Sequence, residues 1–194
     1  PEQCSIPAPA VRRPLAVPAM VGVEMWERFS FYGMQAILAY YLYHQVTEGG
    51  LGMDRAQTTA LMGAYGATVY LCTVAGGWLA DRVLGAERTL LAGALLLTAG
   101  HGSLSAIGGP AGVAIGMVLI AIGSGSLKTA AITVLGHVFG DEEQGHRDAG
   151  FQLFYLGINV GALFGPLLTG WLAEKHGYPA GFAAAAALML LGLV

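Results

Sequence analysis

The chain has 194 residues, of which 55% are hydrophobic and 11% are charged, with a net charge of −3 and a mean hydropathy of +0.62. A soluble domain has about 25% charged residues, so this composition indicates an integral membrane protein. No basic tract favours nucleic acid as a partner, and the two cysteines, Cys4 and Cys72, are too few and too separated for a disulfide framework or a metal site.

The N-terminal part of the chain divides into a tail and a first apolar span. Residues 1–14 are rich in proline and lack the pattern of a signal peptide, which predicts a disordered cytoplasmic tail. The run 15–43 is apolar and, at 1.5 Å per residue in a helix, longer than the roughly 30 Å hydrocarbon core of a bilayer. It is therefore predicted to be the first membrane span.

This first span contains three ionisable residues near its centre, Glu24, Glu27 and Arg28. Each charge at that depth costs on the order of 3 kcal/mol, so the three side chains must face a protein interior or a watery cavity. The stripe that they begin is continued by Phe31, Tyr32 and Gln35, which predicts a cavity-lining face.

Two interpretations of the charged group stay open at this point. The residues can form a buried ion pair that fixes helix packing and has no other role. Alternatively, two acids against one arginine leave one carboxyl, of Glu27 or Glu24, unmatched, and such a group can take up and release a proton.

The rest of the chain predicts five further spans, the last of which is incomplete at roughly 15 residues, fewer than the 20 or so that a bilayer requires. We therefore expect the sequence to be a fragment. Asp54 is a candidate N-cap for the second span, and the short connection 81–88 is expected to be a charged loop. The predicted spans are 57–80, 89–107, 112–139, 150–173 and 180–194.

Basic residues predict the orientation in the membrane, because cytoplasmic loops carry an excess of arginine and lysine. One side of the predicted membrane has five basic residues outside the spans and the other side has two, which predicts that the N-terminus is cytoplasmic. The five are Arg12, Arg13, Arg82, Arg88 and Arg147, and the two are Arg55 and Lys175. Asp81 and Arg82, at the cytoplasmic end of the second span, are expected to stabilise one state of a gate or to act only as topology anchors.

Polar residues of four spans are predicted to meet at one depth. Lys128, Tyr70 and Asn159 lie near the middle of the fourth, second and fifth spans, level with the charged group of the first. Transporters bind their substrates near the midplane, so this convergence favours a binding site over scattered structural polar residues. His101, within the third span, is expected to be a hydrogen-bonded core histidine, and a proton relay is the alternative.

The same residues carry a resemblance to a known family. Glu24-x-x-Glu27-Arg28 followed by Phe-Ser-Phe-Tyr32-Gly33-Met resembles the first-helix signature of the proton-dependent oligopeptide transporter (POT) family. Three further stretches resemble that family's loop motif between helices two and three, its fourth-helix lysine motif and its fifth-helix signature: Gly76-Gly-Trp-Leu-Ala-Asp81-Arg82-Val-Leu-Gly85-Ala-Glu-Arg88, Gly123-Ser-Gly-Ser-Leu-Lys128 and Phe154-Tyr155-Leu-Gly-Ile-Asn159-Val-Gly-Ala.

The resemblance implies a fold and an activity. The fold is all-α and membrane-integral, the N-terminal six-helix bundle of a major facilitator superfamily transporter, with the sixth helix truncated and a second bundle belonging to the same polypeptide. The activity is proton-coupled import of di- and tripeptides across the plasma membrane, a bacterial inner membrane, by alternating access. Small peptides, protons and the lipid bilayer are the expected partners, and no cofactor other than the coupling proton is expected.

The resemblance also implies roles for individual residues. Glu24 and Glu27 serve proton coupling, Arg28 and Lys128 contact the peptide carboxylate, and Tyr32, Tyr70 and Asn159 line the pocket. The sequence departs from the family pattern at Gln35, Phe31 and Thr129, where arginine, tyrosine and proline are common. The cavity is therefore expected to be less basic and to have one hydroxyl fewer.

Three other functions are alternatives to this one. The nearest is a symporter of another anionic solute, such as nitrate or a carboxylate metabolite, on the same fold. A membrane-embedded enzyme is not favoured, because no span contains a His-Glu-x-x-His motif, a Gly-x-Ser-x-Gly elbow or an acidic metal cluster. A purely structural subunit does not need two acids, an arginine and a lysine at mid-depth.

Overall fold

The computed structural model describes residues 13–138 and 144–193. Within these residues six α-helices follow one another. A short 3₁₀ turn, Val46–Glu48, lies between the first two helices, and a π-helical turn, Ala80–Leu84, continues the second. The helices are Arg13–Tyr43 (α1), Arg55–Leu79 (α2), Ala86–Ala106 (α3), Gly109–Val138 (α4), Gln144–His176 (α5) and Tyr178–Leu191 (α6). The all-α bundle predicted from the sequence is confirmed.

The largest differences between the helix ends and the predicted spans are at α5 and at the end of α2. The α5 helix runs from Gln144 to His176, beyond both ends of the predicted span 150–173. Asp81 and Arg82 lie in the π-helical turn that continues α2, and the chain reverses only at Gly85 (φ 81°), so the expected charged loop is mostly helical. Residues 1–12 of the predicted tail, the end of the fourth span at 139, the acidic stretch 139–143 and residue 194 lie outside the described residues.

The start of α2 shows the predicted N-cap. The Asp54 carboxylate accepts a hydrogen bond of 2.9 Å from the backbone N–H of Ala56, which satisfies one of the N–H groups left free at a helix start. Between α3 and α4, Gly108 and Gly109 both have positive φ, 60° and 63°. This conformation suits glycine and lets α4 begin directly after α3.

The bundle is held together by close contacts between helix backbones. The most extensive pairs are α3 with α4 and α1 with α5. Gly157, Gly161 and Gly165 face α1, and a Cβ atom at Gly161 or Gly165 would collide with a backbone carbonyl of α1. Small residues four apart allow helices to pack this closely in a membrane, so this stripe is a packing seam between α1 and α5.

Four stretches of the described residues are long and apolar enough to cross a bilayer: Arg55–Leu84, Ala86–Ala106, Gly109–Gly136 and Asp148–His176. The α6 helix is apolar but has only 14 described residues. The α1 helix, which corresponds to the span predicted at 15–43, is not one of these four, because Glu24, Glu27 and Arg28 interrupt its apolar sequence. These three side chains are buried in the bundle, so their charges do not face lipid.

Candidate functional site

A buried ion cluster occupies the middle of α1. Glu24, Glu27 and Arg28 have exposed fractions of 1%, 0% and 3%. The Arg28 Nη2 atom lies 2.7 Å from Glu24 Oε1, and its Nε donates a hydrogen bond of 2.8 Å to the same oxygen. Because α1 packs against α2, α4, α5 and α6, the charges are enclosed by protein, as their cost in lipid requires.

The cluster differs from the expectation that one carboxyl would be unmatched. Arg28 reaches both acids, because its Nε also lies 3.1 Å from Glu27 Oε2. Two carboxylates still face one guanidinium, so Arg28 alone does not balance both acids if both are ionised. Within the described residues, Glu24 Oε2 and Glu27 Oε2 receive no hydrogen bond. Each carboxyl therefore keeps one oxygen that can carry a proton.

Ser124 of α4 joins the cluster and was not predicted. Its hydroxyl donates a hydrogen bond of 2.8 Å to Glu27 Oε1, and both residues are fully buried. The sequence held a signal for it, because Ser124 precedes Lys128 by four residues and so shares a helix face with that lysine. The hydrogen bond ties α4 directly to the charged centre of α1.

Lys128 lies beside this cluster. Its side chain is half-buried and interacts electrostatically with Arg28, Glu27 and Glu24. The Lys128 Nζ atom lies 5.6 Å from the centre of the Tyr70 ring, in a cation–π contact. In the part of the chain that the structure describes, Lys128 forms no ion pair within 4 Å. Its ammonium group is therefore available to an anionic ligand.

The stripe that continues from the ion cluster is divided between core and surface. Phe31 is buried and contacts two aromatic rings, Tyr32 at 5.5 Å and Tyr65 of α2 at 6.3 Å between ring centres. The Phe31 ring is therefore covered by α2 in this bundle, and its predicted place in the cavity lining stays a prediction. Tyr65 was missed by the sequence analysis, and its buried hydroxyl has no hydrogen-bond partner among the described residues. Gln35 is half-buried.

The other predicted pocket residues lie on an open face. Tyr32 and Tyr70 have exposed fractions of 39% and 70%. Asn159 is exposed as well, and its amide donates a hydrogen bond of 2.7 Å to the Tyr155 carbonyl of its own helix. The described helices thus present these groups on a surface and do not enclose them.

Three residues outside the cluster also bear on the predictions. Asp81 and Arg82 are exposed, and neither forms an ion pair within the described ranges 13–138 and 144–193. His101 is fully buried, as predicted for a core histidine, but neither of its ring nitrogens has a hydrogen-bond partner in those ranges, so only the predicted hydrogen bond is wrong. A cavity of 830 Å³ lies apart from the cluster, where the ends of α1 and α5 meet the start of α6, and Tyr40, His44 and Tyr178 are among its lining residues.

Comparison with known proteins assigns the chain to a family. The model of the POT family matches residues 87–194. The "Uncharacterized transporter YclF" of Bacillus subtilis (strain 168) is 48% identical over 88% of this chain and 35% of its own length. A "Di-/tripeptide transporter" of Lactococcus lactis subsp. cremoris is 42% identical over 93% of this chain and 37% of its own length.

A solved structure agrees with these relatives. The crystal structure of a peptide transporter POT in complex with sulfate superimposes with a TM-score of 0.89 and 45% identity, over 92% of this chain and 36% of that one. The chain thus spans a little over a third of the length of the proteins that it matches. The fold is that of a major facilitator bundle, its helices are those of a multi-pass membrane protein, and the chain belongs to the POT family of transporters.

Proposed function

We propose that this chain forms the N-terminal bundle of a proton-coupled symporter that imports di- and tripeptides. The observation that carries the proposal is the buried cluster of Glu24, Glu27 and Arg28, with two acids against one arginine and Lys128 beside it. The name of the Lactococcus relative, a di-/tripeptide transporter, supports the same substrate class.

Charge balance in the cluster relates the proton to the peptide. With both acids ionised, the two carboxylates balance Arg28 and Lys128, and an added peptide carboxylate would be in excess. Protonation of one acid leaves one positive charge uncompensated, and the peptide carboxylate can neutralise it at Lys128 or Arg28. Binding of the proton and of the peptide therefore favour one another, and this linkage must be reciprocal.

In this proposal the peptide site is completed on the open face of the bundle by Tyr32, Tyr70, Gln35 and Asn159. The ring of Phe31 packs against Tyr32 and supports it. In this proposal the face is closed by a second six-helix bundle of the same polypeptide, and the two bundles rock around the site at the midplane. The arginine distribution supports an N-terminus in the cytoplasm of a bacterial cell. In this proposal Asp81 and Arg82 then lie at the cytoplasmic end and act in gating.

The experiment is uptake of a labelled dipeptide into proteoliposomes that contain the full-length transporter. An inward proton gradient should accelerate uptake and drive accumulation above equilibrium, and a protonophore should abolish the accumulation. Counterflow with a panel of peptides then measures binding without net proton movement. Peptide accumulation that is independent of the proton gradient would contradict proton coupling. Absence of peptide counterflow would contradict the proposed substrate class.

A second candidate is a symporter of another anionic solute, such as nitrate or a carboxylate metabolite. It is favoured by Lys128, whose half-buried ammonium could bind any anion, and by the sulfate bound in the similar crystal structure. The same counterflow assay separates the two candidates. Exchange of nitrate or of a simple carboxylate in preference to dipeptides would favour the second.

A further inference from the structure

A hydrogen bond between α4 and α1 holds the carboxyl group of Glu27, one of the two acids of the cluster. The Ser124 hydroxyl and the Glu27 carboxylate come from positions 97 residues apart, and they meet at 2.8 Å with both residues at 0% exposure. Neither group has access to water that could replace this partner. Loss of the Ser124 hydroxyl would therefore leave Glu27 Oε1 in a dry environment without a donor.

The two acids are held in different ways. Glu24 receives both contacts of 2.7 and 2.8 Å from Arg28 on one oxygen, so its charge is directly paired. Glu27 has a longer contact of 3.1 Å to Arg28 Nε, and the hydrogen on that nitrogen is donated to Glu24. Within the described residues, the only hydrogen bond to the Glu27 side chain comes from the neutral hydroxyl of Ser124. Glu27 is thus the less completely paired acid, and its Oε2 has no hydrogen-bond donor there.

Titratable groups face Glu27 from several helices. Arg28 and Glu24 belong to its own helix, Tyr65 of α2 interacts with it electrostatically, and so does Lys128 of α4. Ser124 and Lys128 lie four residues apart on one face of α4. The hydrogen bond therefore connects Glu27 to the helix that presents Lys128.

We propose, building on the proposed function, that Ser124 is a positioning residue for proton uptake. Its hydroxyl holds Oε1 of Glu27, so that the proton enters on Oε2. Protonation then changes the strength of the Ser124–Glu27 hydrogen bond, and this acts on α4. A hydrogen bond to an ionised carboxylate is about twice as strong as one to a neutral group. Protonation of Glu27 therefore weakens the link between α1 and α4 and loosens the position of Lys128 when the peptide must bind. The step is a proton transfer from hydronium to Oε2 when the bundle opens to water during transport, and it forms no covalent bond with the substrate.

The test compares Ser124→Ala with Ser124→Cys in the full-length transporter. Cysteine nearly preserves the volume of serine but is a weak donor, so both variants remove the strong hydrogen bond and only alanine leaves a gap. Gradient-driven dipeptide uptake is measured from pH 5 to pH 8 and normalised to counterflow by the same preparation, which corrects for misfolded protein. Ser126→Ala is the matched control, because Ser126 is also buried and lies two residues away on another face of α4.

Both Ser124 variants should move the midpoint of the uptake profile to higher pH by about one unit, which is the size expected for loss of one hydrogen bond to a charged group. The charged carboxylate loses a donor, so the proton is held to higher pH. An unchanged midpoint in Ser124→Ala, or an equal shift in Ser126→Ala, would overturn the inference while leaving proton-coupled uptake intact. If the wild-type protein shows no dependence on the proton gradient, the proposed function itself fails, which is a different result.

Discussion

The ammonium group of Lys128 lies over the ring of Tyr70, 5.6 Å from its centre, and this contact joins α4 to α2 at the edge of the ion cluster. The two helices come close there because both carry glycine at the crossing. A Cβ atom at Gly76 would collide with the backbone of Ser126, and one at Gly125 would collide with Cys72. The position of Lys128 is therefore determined by backbone packing as well as by charge.

Lys128 is predicted to bind the peptide carboxylate, because it has no ion-pair partner within 4 Å in the described part of the chain. Lys128→Ala in the full-length protein should weaken binding of free-acid dipeptides by about tenfold to a hundredfold, as expected for loss of a charged hydrogen bond. Binding of the C-terminally amidated peptides should change much less. Competition in counterflow measures both, and equal losses would indicate a structural lysine.

Tyr70 is predicted to orient Lys128 through its ring. A cation–π contact at an exposed site contributes about 0.5–1 kcal/mol, so Tyr70→Leu should weaken binding of free-acid dipeptides about two- to fivefold. Tyr70→Phe keeps the ring and should retain most of that affinity. If Tyr70→Phe is as damaging as Tyr70→Leu, the hydroxyl and not the ring is the functional group.

Arg28 is predicted to be required for stability as well as for transport. Arg28→Ala leaves two buried carboxylates without their cation, a change that typically costs about 3–5 kcal/mol. The loss should be smaller at pH 5 than at pH 8, because protonation removes the uncompensated charge. Thermal unfolding in detergent at the two pH values measures this, with exposed Arg88→Ala as the control. A pH-independent loss would mean that Arg28 acts mainly through packing.

The glycine seam predicts a difference between two positions of the same helix. Gly161→Ala places a methyl group against the Met25 carbonyl of α1. Gly170→Ala places one where the described residues, apart from the backbone of the same helix, leave 4 Å of open space. Overpacking of this kind costs about 1–3 kcal/mol, so Gly161→Ala should lower the melting temperature and Gly170→Ala should not. Similar melting temperatures for the two variants would show that α1 and α5 can separate freely at this point.

The sequence predicted the bundle and the burial of the charged group, for one physical reason. Long apolar runs must span the membrane, and Glu24, Glu27 and Arg28 within such a run must turn toward protein. It could not predict which carboxyl oxygens Arg28 contacts, because this depends on side-chain torsions and not on helix periodicity. The hydrogen bond from Ser124 depends in addition on how closely α4 approaches α1.

Two other differences between the predictions from the sequence and the structure also arise from contacts between helices. Phe31 shares the stripe of Tyr32, but its burial depends on Tyr65 from α2, a neighbour that α1 alone does not reveal. His101 was expected to have a hydrogen-bond partner because buried polar groups usually do, yet none is found for either ring nitrogen among the described residues. Contacts between helices, which no local pattern encodes, decided both cases.

One of the two acids is predicted to couple proton movement to transport. Glu27→Gln and Glu24→Gln each mimic one permanently protonated acid, and each should be tested alone in the full-length protein. Replacement of the coupling acid should remove the accumulation driven by a pH gradient, because no proton is then taken up or released. Peptide counterflow needs no net proton movement and should be largely retained, which makes it the internal control.

We expect Glu27→Gln to show this separation, because Arg28 pairs Glu24 through two short contacts and Glu27 through one longer contact. Glu24→Gln removes the carboxylate that receives those two contacts, so it should lower stability and counterflow together. The opposite pattern, with gradient-driven uptake lost only in Glu24→Gln, would assign coupling to Glu24. If both variants accumulate peptide at the wild-type level, the proton site lies elsewhere, and the buried His101 is the next residue of this chain to replace.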